Sequence, residues 1–157
     1  MAVVIIDGRV KVYWLTACAA VAAPTQAELN AGTALQGLIT PDGLVINPST
    51  GKVDTSNLAS KFTTTRAGRR AFDISITFHH DSVTDTAYLL TPYQANGFIA
   101  VRRGTDATIA WAAADKAEVY PVEALEPNQE DPKPDGVWDF MVEFCLTADP
   151  STRAVVV

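Results

Sequence analysis

The chain has 157 residues, 48% of them hydrophobic and 19% charged, with a formal net charge of −6. That composition fits one folded domain with its own core and excludes a disordered segment. The acidic balance argues against gripping nucleic acid by neutralising its phosphates. Two cysteines, Cys18 and Cys145, are too few for a disulfide scaffold or a zinc site and are read as reduced and apolar.

In chain order, VVIIDGRVKVYWLTA predicts two strands joined at Asp7-Gly8, a pair suited to a tight hairpin turn. Val10, Val12 and Trp14 share one face; Lys11, Tyr13 and Leu15 share the other. The small residues of ACAAVAAP resemble a signal-peptidase site, but MAVVII precedes the charges and Asp7 sits among them, so the hairpin is preferred. No apolar run is long enough to span a bilayer. In PTQAELNAG, Thr25 and Glu28 form a capping box and Gly32 a stop, which predicts a short helix.

Residues 36 to 61 are rich in Pro, Gly, Asn, Ser and Thr, and are read as a long loop, with a loose hairpin as the alternative, holding two apolar patches, Leu38-Ile39 and Leu44-Val45-Ile46. RRAFDISITFHHD follows as the clearest strand. Phe72, Ile74, Ile76 and Phe78 line one side; Asp73, Ser75, Thr77 and His79 line the other. A second short helix runs to Pro92, capped by Ser82 or Thr84. GFIAVRRG is a strand, residues 105 to 115 are ambiguous, and KAEVYPVEALE is a strand in which Pro121 demands an edge or a bulge. After the acidic, proline-rich EPNQEDPKPDG comes a last strand. There Trp138, Phe140, Val142, Phe144 and Leu146 alternate with Asp139, Met141, Glu143, Cys145 and Thr147. Strands dominate, so the fold class is mainly β: a β-sandwich or partly open barrel with one or two short helices.

His79 and His80 are the only histidines. Neighbours on a strand point to opposite faces, so they cannot share one metal, and no nucleophile elbow accompanies them. No catalytic, cofactor or metal site is expected. KFTTTRAGRR, with Arg66, Arg69 and Arg70, is read as a solvated turn or one side of a subunit contact. Of Arg102 and Arg103, which alternate across a strand, one should face a partner or bury beside an acid. The acids that crowd the last third form a solubilising face or a wall that repels an anion.

Taken in order, PTQAELNAGTAL, KVDTSNLASKF, DSVTDTAYLLTPY, NGFIAVRRG and DKAEVYPVEALEP resemble the major tail tube proteins of long-tailed, non-contractile bacteriophages, especially those infecting actinobacteria. The resemblance spans nearly the whole chain. It implies a virion protein made in the host cytoplasm, without enzymatic activity. Six copies form a ring, and rings stack around a tape-measure protein between a tail terminator and distal tail or baseplate proteins. DNA transits the emptied tube without specific binding, and no membrane is involved. It also implies a minimal tube domain over residues 1–157, without a C-terminal immunoglobulin-like domain.

On that reading, Asp73, Ser75, Thr77, Asp139 and Glu143 are candidates to face the lumen. Leu38, Ile39, Leu44, Val45, Ile46, Arg69, Arg70 and Val156 are candidates for contacts between subunits or rings. The rival readings are a tail terminator or completion protein, a capsid decoration protein, and a secreted β-sandwich binding module.

Overall fold

A computed structural model describes all 157 residues. The first strand, β1 (Val10–Leu15), follows a turn in which Gly8 adopts φ +69° and the Arg9 N–H donates to the Ile6 carbonyl at 2.9 Å. The predicted turn forms, but the predicted first arm does not pair, and Val3, Val4 and Ile5 are exposed. The reason is competition for the β1 edge. The Val12 carbonyl accepts from Leu35 N–H, the Val12 N–H donates to Gln36 Oε1, and β2 (Thr33–Ala34) pairs with Tyr13 and Trp14.

The helix α1 (Gln26–Asn30) forms as its capping box predicts. Thr25 Oγ1 accepts from Glu28 N–H, and the Glu28 carboxylate accepts from Thr25 N–H at 2.9 Å. Gly32 has a tighter role than stopping the helix: a Cβ there would lie 2.3 Å from Leu15 Cδ2.

The largest departure from the sequence reading is residues 39–68. Strand β3 (Ile39–Asp54) runs through the expected loop and forms one long antiparallel hairpin with strand β4 (Thr65–His79), which begins ahead of the strand expected from Arg69. Turn residues punctuate β3 without ending it. Pro41-Asp42-Gly43 fall in a bulge between the Ile39–Phe78 and Leu44–Ile76 pairs. Pro48 lies on a strand whose outer edge has no partner, where a missing donor costs nothing.

Helix α2 (Thr86–Leu90) begins after Asp85, not after Ser82 or Thr84. The remaining strands are β5 (Asn96–Arg103), β6 (Lys116–Ala124), β7 (Asn128–Gln129), β8 (Asp139–Leu146) and β9 (Ser151–Val155). The main order is β2-β1-β5-β6-β8-β4-β3, antiparallel throughout, with β7 on β8 and β9 on β6.

Pro121 lies inside β6, yet the ladder accommodates it. Its carbonyl accepts from Thr147, so its nitrogen faces the same side, and there β6 changes partner from β9 at Val119 to β8 at Val122. The proline fills the gap between two partners, where no N–H is needed.

The sheet is not closed into a barrel but bends over one apolar face. Trp14 of β1 meets Phe144 of β8 at 6.0 Å, Phe72 meets Tyr120 at 5.5 Å, and Phe78 stacks on Phe140 at 5.4 Å. Gly97 makes this closure possible, since any Cβ would sit 2.4 Å from the Trp14 ring and 2.8 Å from the Leu15 carbonyl. A second core covers the outer side of β1, β5 and β6. It holds Leu15, Leu29, Ala100, Trp111, Val119, Ala154 and Val156.

Candidate assembly surfaces

The alternation predicted for residues 71–79 and 139–146 is present. Ile74, Ile76, Phe78, Phe140, Val142 and Phe144 are buried, and the intervening side chains look outward. Register then places the outward residues opposite one another: Ser75 against Glu143, Thr77 against Met141, His79 against Asp139. Asp73 stands one step further along, opposite Asn47 of β3. Asp73, Ser75, Thr77, Asp139 and Glu143 therefore share one face of the β3-β4-β8 sheet. Their electrostatics differ. Asp73 and Glu143 are exposed and unpaired, whereas Asp139 lies 2.6 Å from His79 Nδ1. Cys145, expected to be apolar, is exposed on this face, while Cys18 packs beside the second core; both are free thiols. Burial, with the Glu28 carboxylate adding to it, pushes the Cys18 thiol up.

The two histidines part as strand geometry requires. His80 turns inward, its side chain almost fully covered. Its Nδ1 lies 2.5 Å from Asp85, its Nε2 2.9 Å from Gln129 Oε1, and its ring stacks on Trp138 at 3.9 Å. These contacts join β4, α2, β7 and the start of β8, so the imidazole serves as structure. They also explain why Asp85 does not cap α2: its carboxylate turns back to His80 and to the Asp81 N–H.

The β3–β4 hairpin changes character at Ile74. From Ile74 to His79, β4 has β8 on its second edge. Before Ile74 it has only β3, so residues 47–54 and 65–73 form a two-stranded ribbon that leaves the sheet. Nearly all of its side chains are exposed, including Arg66, Arg69 and Arg70. The apolar patches sit at its root. Leu38, Ile39, Leu44 and Ile46 are half-buried against the main core, and Val45 alone of the five points away. Four of these expected anchors thus hold the ribbon to its own body.

Val156 is a correction. Expected to reach a neighbouring subunit, it is buried in this chain's own second core, and its N–H donates to the Asp115 carbonyl. Strand β9 adds to β6 of the same chain.

One further construction lies under the 104–115 loop. Arg102 and Lys11 are both buried on the outer side of β5 and β1. The Arg102 guanidinium donates to Asp115 at 2.7 Å and to the carbonyls of Asp106, Ile109 and Ala110. The Lys11 ammonium donates to the carbonyls of Ala107 and Ile109. Burial lowers the Lys11 pKa, and the Arg102 charge lowers it further. Burial by itself raises the Asp115 carboxyl, but the Ala112 N–H and Arg102 outweigh it and hold it below its ordinary value. Arg102 thus buries beside an acid, and Arg103 pairs with Glu118 at 3.1 Å. The Lys11 contribution was missed, although a lysine on the row of Tyr13 and Leu15 is the signal for a buried cation.

An exposed ribbon and a polar sheet face are surfaces suited to contacts. A family model described as phage tail tube protein matches residues 1–157. The chain belongs to that family. A tail tube protein is a structural component of the virion tail. Among solved structures, the chain is similar to one in a cryo-EM structure of the anti-feeding prophage baseplate, 6-fold symmetrised. The TM-score is 0.59 at 8% identity, over 96% of both chains. At that identity the likeness is one of fold. No curated protein matches the chain.

Proposed function

We propose that this tail tube protein assembles with itself into hexameric rings that stack as the tube of a non-contractile phage tail, the conduit for DNA entering an actinobacterial host. The observation that carries the reading is the β3–β4 ribbon, a hairpin with two free edges and two free faces that leaves the sheet at Ile74. Such a ribbon gains little by standing in water. Its free edges are a liability in a monomer and contacts in an assembly. The order of the resembling stretches supports the non-contractile type and the host class.

The outward face of β4 and β8 is the best candidate for a lumen wall. Asp73 and Glu143 would repel phosphate along it, with Ser75 and Thr77 between them, while Asp139 would contribute mainly through its pairing with His79. The ribbon, with Arg69, Arg70 and Val45, would contact neighbouring subunits. Within the tail, the tape-measure protein would occupy the lumen, and the terminator and distal tail or baseplate proteins would meet the tube's two ends.

Native mass spectrometry tests the ring. The monomer is 16.8 kDa, so a hexamer has a mass near six times that, about 101 kDa. Multiples of six subunits support the proposal; a ladder of dimers and trimers without a six-fold step contradicts it.

A further inference from the structure

The charges of this chain are segregated along one strand axis. Residues 52–70 carry Lys52, Lys61, Arg66, Arg69 and Arg70 against one carboxylate, Asp54, a net of +4; the other residues carry −10. All five cations lie on the ribbon or its tip and are exposed. The tip also exposes Leu58 and Phe62.

The opposite end of the same strand has the complementary surface. At the His79 end of β4, Trp138 and Tyr88 flank His80 and expose much of their own surface. Around them stand the exposed carboxylates of Asp81, Glu130, Asp131 and Asp135, with Lys133 as the one cation of that loop. Glu130 is held beside the strand end, its N–H donating to the Asp139 carbonyl.

The two surfaces cannot meet within one chain. Residues 65 to 79 are one continuous strand, which separates its ends by roughly 45 Å. Each is an apolar patch with a charged rim, and the rims have opposite sign. We infer that the basic ribbon tip of one copy docks on the acidic, aromatic end of a second copy, in head-to-tail fashion along the strand direction. This rests on the self-assembly reading and adds which surfaces meet. Because two different surfaces meet, a docked pair keeps one free ribbon tip and one free acidic end, so the contact propagates. Opposite rims also set orientation, since tip-to-tip or end-to-end approach juxtaposes like charges.

Charge exchange tests it. One variant carries Lys61→Glu and Arg66→Glu, the other Glu130→Lys and Asp131→Lys. All four side chains are exposed and outside both cores, so circular dichroism and melting temperature should match the wild type. Sedimentation velocity should show assembly by the wild type, weakened by added salt. Each variant alone should need about tenfold or more higher concentration. An equimolar mixture should recover assembly, because each altered surface then meets an opposite one. A wild type that stays monomeric at every concentration contradicts both self-assembly and this docking. A wild type that assembles while each variant assembles equally well, or while the mixture fails to recover, overturns the docking alone.

Discussion

Ile74 pairs with Phe144, and no residue before Ile74 in β4 has a partner on that side. The pair marks where a sheet strand becomes half of a free ribbon. Phe72 still reaches back to Tyr120, so the ribbon root is packed, but beyond it the hairpin lacks a core of its own. If the ribbon carries assembly as proposed, stability and assembly are separable along one strand.

Replacing residues 51–69 by a short Asn-Gly turn joins Thr50 to Arg70, which already face each other. The core loses nothing, so the melting temperature should move by only a few degrees, while assembly should be lost. Thermal unfolding with sedimentation checks both. A deletion that began at residue 41 would be uninformative, because it removes Leu44 and Ile46 from their seat against the core.

Asp115→Ala leaves the buried Arg102 guanidinium without its carboxylate. Chemical denaturation should show a loss of about 3 kcal/mol, with the 104–115 loop the first segment to exchange its amide hydrogens. The native Asp115 carboxyl is held below its ordinary value. Its contribution is therefore complete above the unfolded value, near pH 4, and is lost as pH falls through the lower native one. Acid titration of the variant should lack that part of the wild-type decline.

Gly97→Ala drives a methyl group into the Trp14 ring and towards the Leu15 backbone. The backbone cannot yield as a side-chain tip can, so stability should fall by about 1–3 kcal/mol. Trp14 fluorescence should report the disturbance in the native state.

Asp73→Lys with Glu143→Lys reverses the two unpaired carboxylates of the outward β4–β8 face. If that face lines the tube, virions should form with tails of normal appearance while infectious titre per particle drops about tenfold or more. Unchanged infectivity would remove this face from the lumen.

Much of the fold was legible because alternation is a local signal. Ile74, Ile76 and Phe78, and likewise Phe140, Val142 and Phe144, declare their buried side in the sequence alone. The capping box of Thr25 and Glu28 declares itself within four residues. The N-terminal hairpin failed because its turn is local but its edge is not: Leu35 and Gln36, from beyond α1, take the β1 positions the arm needed. The extent of the ribbon was not legible because Pro41, Pro48 and Gly51 read as loop residues, while register with β4 decides otherwise. The same limit misplaced Val156, since only the packing of β9 on β6 shows that its own core claims it. The Arg102 cradle was half legible: the strand alternation predicts a buried arginine beside an acid, but Asp115 arrives through a loop without periodicity.

The most direct measurement is negative-stain electron microscopy of the purified wild-type protein at rising concentration, beside the ribbon-shortened variant. The account predicts six-fold rings or hollow tubes of uniform width from the wild type and dispersed monomers from the variant. Tubes from the variant indistinguishable from those of the wild type would contradict it.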